Sequence, residues 1–144
     1  MKNKTQRKGI AKMTYSHLKN KIMQDKLSTI FDDLGVFFAF SDKQFDEGLE
    51  KIEEKKENIT AIHAGGFIPS KNIKEYIKRS DNLLVWLRAE VKKLDPENVI
   101  EYELSNYESY YTGDISTAFE ALADHGFTRD QVKAVYNKNY DKHN

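Results

Sequence analysis

The chain has 144 residues, which is enough for one domain with a single sizeable core. Its eight Phe, eight Tyr and one Trp exclude an intrinsically disordered chain, and the absence of Cys excludes a disulfide framework and thiolate chemistry. No apolar run approaches the ~20 residues that a membrane span needs. The composition therefore predicts a soluble, cytoplasmic protein.

Charge is unevenly distributed, although 23 basic and 23 acidic residues cancel overall. Residues 95–124 contain eight acids and no Lys or Arg, whereas residues 59–94 contain seven bases and three acids. The first 12 residues carry five bases, no acid and no hydrophobic periodicity. We interpret residues 1–12 as a flexible basic arm and residues 13–144 as one domain.

The first half of the domain alternates between helical and extended patterns. Apolar spacing predicts a helix over Tyr15–Leu34, with Thr14 as its N-cap and Gly35 as its C-terminal stop. Val36–Phe40 is apolar on both faces and predicts a buried strand. Ser41 and Gln44 form a capping-box pattern before a predicted helix over 42–56, and a second strand is expected over Ile59–Ala64.

The second half is predicted to be mostly helical. After the Gly65-Gly66 break, a basic helix is expected over Lys71–Leu94, with an interruption possible near 80–82. Residues 96–111 fit a helix that begins at Pro96, and a hairpin turning at 105–106 remains the alternative. Asp114 caps a further helix to Ala123, and the pattern Gly126-Phe127-Thr128 predicts a C-terminal helical hairpin.

These elements predict an α+β fold. The expected architecture is a single domain in which helices cover a small two- or three-stranded sheet, with the helical hairpin at the C-terminal end.

The stretch from Asp95 to Asp114 is the candidate interaction surface, because it combines four tyrosines and six acids with no base. Tyrosine supplies rigid apolar area with a hydroxyl group, and carboxylates complement Lys- and Arg-rich partners. We expect at least two of the four tyrosines to be buried. The predicted partner-binding residues are Glu101, Glu103, Tyr107, Glu108, Tyr110 and Tyr111.

Two other binding functions have weaker sequence support. Gly65, Gly66 and Lys71 could bind an anion where a strand meets the N-terminus of a helix, although no phosphate-loop spacing is present. Nucleic acid could bind the basic helix together with the N-terminal arm. The residues predicted for that contact are Lys74, Lys78, Arg79 and Arg88.

Catalytic and metal-binding patterns are missing from the sequence. The four histidines are far apart and form no ligand pair with metal-binding spacing, so we expect neither a metal nor a cofactor. A carboxylate pair for acid–base catalysis could lie anywhere in the acidic stretch, and an enzyme remains a further alternative.

A family resemblance adds to this interpretation. It rests on Gly65-Gly66-Phe67-Ile68, then Tyr102-Glu103-Leu104, and then Tyr111-Thr112-Gly113-Asp114, and the later block is its most specific part. Over residues 13–136, the chain resembles a family of small uncharacterised proteins encoded by bacteriophages and mobile elements of low-GC and gut bacteria. The resemblance implies an accessory protein that binds a host or defence-system protein, and an inhibitor of host defence is its most specific form. It implies no catalytic residue.

Overall fold

The computed structural model describes residues 14–143, so the predicted basic arm lies outside the described residues. The α+β class is confirmed, because helices are combined with a small three-stranded antiparallel sheet. Two compact units can be distinguished. The sheet unit is Ile22–Val85, and the helical unit combines residues 14–21 with residues 86–143. One domain over residues 13–144 stays a prediction.

The first predicted helix forms, but it is interrupted by a π-helical turn. Helix α1 is Tyr15–His17, the π-helical turn is Leu18–Ile22, and α2 is Met23–Leu34. The Thr14 hydroxyl accepts a hydrogen bond from the His17 backbone N–H, and Gly35 ends α2 in the left-handed conformation, as predicted. A π-turn inserts residues into the helical repeat, so the apolar stripe cannot run straight through it.

The sheet consists of β1 (Phe37–Phe38), β2 (Ile59–Ala61) and β3 (Gly66–Pro69), in the order β1-β3-β2. A strand forms within the predicted range 36–40, but it is shorter than predicted and is not buried. Strand β1 has two residues and lies at an edge of the sheet, where Phe38 is partly exposed and Phe40 largely so. The expected strand over 59–64 ends at Ala61, because the chain turns there into β3.

Aromatic packing joins α3 (Asp42–Ile52) to the sheet. The ring of Phe45 lies 5.7 Å from that of Phe37 and 4.9 Å from that of Phe67. The capping box at Ser41 and Gln44 forms as predicted. Helix α3 is shorter than the predicted 42–56, because Glu53 adopts the left-handed conformation and ends it.

Helix α4 (Ile73–Val91) follows 3₁₀ turns at Lys56–Asn58 and Ser70–Asn72. It runs without the interruption considered for residues 80–82. None of the helices within residues 14–143 is long and apolar enough to cross a membrane.

The helical unit contains the remaining helices: α5 (Pro96–Asn106), α6 (Ser109–Thr112), α7 (Ser116–Ala123) and α8 (Arg129–His143). The choice between helix and hairpin for residues 96–111 is thereby decided in favour of helix. The predicted helical hairpin is also confirmed: Gly126 has φ +87°, and Thr128 and Gln131 exchange capping hydrogen bonds of 2.8 and 3.2 Å. The buried core of the helical unit contains Val99, Ile100, Leu104, Ala118, Leu122 and Val132.

Candidate functional site

The acidic, tyrosine-rich stretch folds into α5 and α6 of the helical unit. Asp95 caps α5 by accepting a hydrogen bond from the Glu97 backbone N–H, and Pro96 occupies the first turn. Between the two helices, Glu108 adopts the left-handed conformation with φ +55°, and Gly113 with φ +77° ends α6. A non-glycine residue rarely adopts positive φ, so Glu108 holds the chain in a strained reversal.

Tyr110 points into the helical unit. Its side chain is buried, and its hydroxyl donates a 2.5 Å hydrogen bond to Glu101 Oε2. The ring stacks on those of Tyr136 and His143, with centroid distances of 5.1 and 3.9 Å. Burial, followed by the Glu101 hydrogen bond, raises the pKa of Tyr110, so the hydroxyl remains protonated at neutral pH. Tyr110 therefore anchors α6.

Glu101 is a structural acceptor for α8. Besides the Tyr110 hydroxyl, its Oε2 accepts a hydrogen bond from Asn139 Nδ2 at 2.9 Å. Its Oε1 lies 2.7 Å from His143 Nε2 in the last turn of α8. These three partners hold the Glu101 carboxylate, which stays partly exposed, and its role in partner binding stays a prediction.

Glu103 is buried, with only 1% of the residue exposed, so a position on the binding surface is wrong for this residue. Lys19 Nζ contacts both carboxylate oxygens at 2.9 and 3.0 Å, and the Tyr15 hydroxyl donates to Oε2 at 2.7 Å. Asn106 Nδ2 donates to Oε1 at 3.2 Å. Burial, followed by the hydrogen bond to Glu103, raises the pKa of Tyr15. We call Tyr15, Lys19, Glu103 and Asn106 the Glu103 network.

Three predicted partner-binding residues do lie at the surface. Tyr111 is 90% exposed and Tyr107 is 38% exposed, and Glu108 is exposed and forms no ion pair with any described residue. We call these three residues the Tyr111 surface. The expectation that at least two of the four tyrosines are buried is wrong, since only Tyr110 is buried and Tyr102 is half-buried.

The predicted anion-binding residues do not converge. Gly65 lies in the turn before β3 and Gly66 is the first residue of that strand, whereas Lys71 follows the opposite end of the strand. A Cβ added to Gly65 would collide with the ring of Phe40. The space that glycine leaves open at position 65 is therefore occupied by the ring of Phe40. Lys71 Nζ lies 3.9 Å from a carboxylate oxygen of Glu54.

The predicted nucleic-acid-binding residues lie along α4. Lys74 and Lys78 are exposed in the sheet unit, and Arg88 is exposed in the helical unit. Arg79 instead binds Asp33, with 3.0 Å between Nη1 and Oδ2. Of the four predicted residues, Lys74 and Lys78 are therefore the two that the sheet unit exposes for a contact with nucleic acid.

The described residues include no cluster with the composition of a metal centre. Residues 14–143 contain no group of three His, Cys, Asp or Glu side chains placed to hold a metal ion. A cavity of about 480 Å³ in the sheet unit is lined by Asp33 and Glu54 among others. Arg79 binds the first of these carboxylates and Asn58 the second, so they do not form a free acid–base pair.

The sequence profile of one protein family matches the chain over residues 19–142. This range includes α2 to α7, nearly all of α8 and both halves of the Lys19–Glu103 ion pair. No curated protein and no solved structure matches the chain. The protein belongs to the family of unknown function designated DUF7659.

Proposed function

We propose that this protein is a non-enzymatic accessory protein of a bacteriophage or mobile element, and that it binds a host or defence-system protein through the Tyr111 surface. The interaction takes place in the cytoplasm, and inhibition of host defence is its most specific form. The observation that carries the proposal is the exposure of Tyr111, which is 90% exposed and lies three residues after Glu108, a carboxylate without an ion pair in the described range. Large aromatic side chains in such positions are frequent binding anchors.

The backbone that carries Tyr111 is held in place by neighbouring residues, which favours a binding role for its exposed side chain. Its neighbour Tyr110 anchors α6 through Glu101, and the Tyr111 backbone N–H bonds the Glu108 carbonyl at 3.0 Å. A partner therefore meets an ordered backbone and has to immobilise only one side chain. Tyrosine loses little conformational entropy on binding, because it has two side-chain torsions.

Charge indicates the chemistry of the partner. Within α5, the carboxylates of Glu97, Glu101 and Glu103 already have cationic or imidazole partners. Glu108 retains its charge for an external group, next to the two exposed rings. A complementary surface would offer Lys or Arg to Glu108, and an apolar or guanidinium-lined recess to Tyr111.

A site-specific crosslinking experiment tests the proposal. The photoreactive residue p-benzoylphenylalanine replaces Tyr111 in one variant and Tyr140, which is also exposed, in a second. Each tagged full-length variant is irradiated in lysate of a bacterial host, and crosslinked proteins are identified by mass spectrometry. We expect one host protein to crosslink at position 111 and not at position 140.

The identified protein is then purified and its affinity is measured by calorimetry. Tyr111→Ala should weaken binding at least about tenfold, as is typical of an aromatic anchor, and Tyr140→Ala should leave it unchanged. Equal affinities of Tyr111→Ala and the wild-type protein would contradict the proposal. Crosslinking of position 111 to nucleic acid alone would also contradict it.

A further inference from the structure

The outer face of α4 exposes three large apolar side chains in the sheet unit. Ile77 is 53% exposed, Leu84 is 45% exposed and Val85 is 64% exposed. Their spacing of seven and eight residues places them on one side of the helix, opposite the buried Leu83. Clustered apolar exposure of this kind marks an interaction surface more often than isolated exposed residues do.

Two opposite charges lie between these apolar positions. Lys78 and Asp81 are exposed, and neither forms an ion pair with any residue in the described range 14–143. Asp81 is one helical turn from both Ile77 and Leu84, so it shares their side of α4. Arg79 is held at 3.0 Å by Asp33 and is not available to neutralise it.

This arrangement is self-complementary. We propose that the outer face of α4 binds the same face of a second copy of this chain, in an antiparallel two-fold dimer whose axis passes between Arg79 and Ser80. In this register, Lys78 faces Asp81 of the second copy, and the symmetry repeats that ion pair. An isologous interface requires such reciprocal contacts.

The same register also pairs the apolar residues. Ile77 and Leu84 are about 10 Å apart along the helix axis, one on each side of the two-fold axis. Antiparallel packing brings Ile77 of one copy against Leu84 and Val85 of the other, and the symmetry buries a second such cluster. Two apolar clusters then flank two ion pairs.

Charge also favours a second copy over other occupants. A nucleic acid would meet the exposed Lys74 and Lys78, but it would also bring negative charge against Asp81, in the middle of the face, and would leave three apolar side chains next to polar groups. A second copy pairs Asp81 with Lys78 and covers the apolar side chains. Because about three helical turns form a small interface, the dimer should be weak and reversible.

Charge exchange tests the dimer. Sedimentation velocity of the full chain, at roughly 10 µM to 1 mM, should show a concentration-dependent monomer–dimer equilibrium. Lys78→Glu places a carboxylate against Asp81, and Asp81→Lys places an ammonium group against Lys78. Each single variant should therefore raise the dimer dissociation constant at least about tenfold. Matched controls with the same charge changes, Lys133→Glu and Glu120→Lys, should leave it unchanged.

The decisive measurement is whether dimer formation returns when the two single variants are combined. In an equimolar mixture of the two single variants, the introduced glutamate of one chain faces the introduced lysine of the other, and the unchanged Asp81 faces the unchanged Lys78. The mixture should therefore form a heterodimer, and the double variant Lys78→Glu/Asp81→Lys should dimerise with itself.

Several results would overturn the proposal. One is a protein that stays monomeric throughout, and another is a dimer that is insensitive to the single variants or not restored in the mixture. Binding of a duplex oligonucleotide by a monomeric protein, abolished by Lys78→Glu, also overturns it.

Discussion

The inward and outward sides of α5 and α6 differ in how they use the same residue types. On the inward side, Glu103 accepts hydrogen bonds from three side chains, and Tyr110 is buried against Glu101. On the outward side, Glu108 is unpaired among the described residues and Tyr111 is exposed. Acids and tyrosines thus serve as internal hydrogen-bonding groups on one side and as a solvent-facing surface on the other.

The difference shows that local charge density is a poor guide to a binding surface. The acid count of residues 95–114 marks the stretch as the candidate interaction surface, but the carboxylates of α5 contact Lys19, Lys138 and His143. What remains for recognition is smaller and more aromatic. Each of the following measurements would confirm or break the distinction between the two sides.

The largest contrast is expected between two adjacent tyrosines. Tyr110→Ala should lower the free energy of unfolding by about 3–4 kcal/mol, because it removes a buried ring and one of the three hydrogen-bond partners of the Glu101 carboxylate. Tyr111→Ala should change it by less than about 0.5 kcal/mol, since the ring is exposed. Urea denaturation measures both values, and similar losses in the two variants would break the comparison.

The next largest effect is expected in the Glu103 network. Lys19→Met should lower the free energy of unfolding by about 2–3 kcal/mol, because it leaves the buried carboxylate of Glu103 without its cation. The loss is below that of a fully buried pair, since a third of the Lys19 side chain is exposed. Lys133→Met, at an exposed position without an ion pair in the described structure, is the control and should be nearly neutral. An unchanged free energy of unfolding in Lys19→Met would show that the Lys19–Glu103 ion pair contributes no stability.

A smaller effect, of opposite sign, is expected at Glu108. Glu108→Asn should stabilise the fold by about 0.5–1 kcal/mol, because asparagine tolerates positive φ better than glutamate does. The same variant removes a charge from the Tyr111 surface and should weaken partner binding. Glu120→Asn, in the right-handed backbone of α7, should destabilise slightly. Stabilisation without loss of binding would remove Glu108 from the proposed surface.

The smallest effect is expected from pH. His125 packs edge-on against Tyr15 of the Glu103 network, with 6.2 Å between ring centroids. Burial lowers the pKa of His125 below its usual value, so at falling pH the unfolded chain takes up a proton before the native protein does. This contribution to stability is present above the unfolded pKa of about 6.5 and is lost as pH falls through the folded pKa.

The melting temperatures of the wild-type protein and of His125→Gln, compared at pH 7.5 and pH 5.5, measure this contribution. The melting temperature of the wild-type protein should fall more between pH 7.5 and pH 5.5 than that of the variant, because glutamine does not titrate. Equal losses would mean that other groups account for the acid sensitivity.

Local chemistry made much of the fold predictable. The predicted caps at Thr14 and Ser41 depend on residues within four positions of each other, and the structure confirms both. Asp114 accepts a hydrogen bond from the Ser116 backbone N–H, but the N-cap residue of α7 is Ile115. The helix over α5 and the C-terminal hairpin follow from the same signals. The sheet was less predictable, because apolarity alone could not show that β1 lies at an edge with Phe38 and Phe40 exposed.

The candidate site was predictable only in part. The spacing of Val99, Ile100 and Leu104 already placed Glu103 on the buried stripe of α5, a signal outweighed by its charge. Its partners Tyr15 and Lys19 lie 88 and 84 positions away in the chain, so a single sequence could not reveal the network. Which of Tyr110 and Tyr111 is buried depends on the chain reversal at Glu108. A glutamate in the sequence does not indicate a backbone with positive φ.

The shortness of the outer strands affects how the protein behaves at high concentration. The two edges of the sheet, β1 and β2, have two and three residues. Such edges offer a neighbouring chain only a few free backbone N–H and C=O groups, too few to begin an extended intermolecular sheet. Although Phe38 and Phe40 are accessible, growth of β-rich aggregates from the native state should therefore be slow.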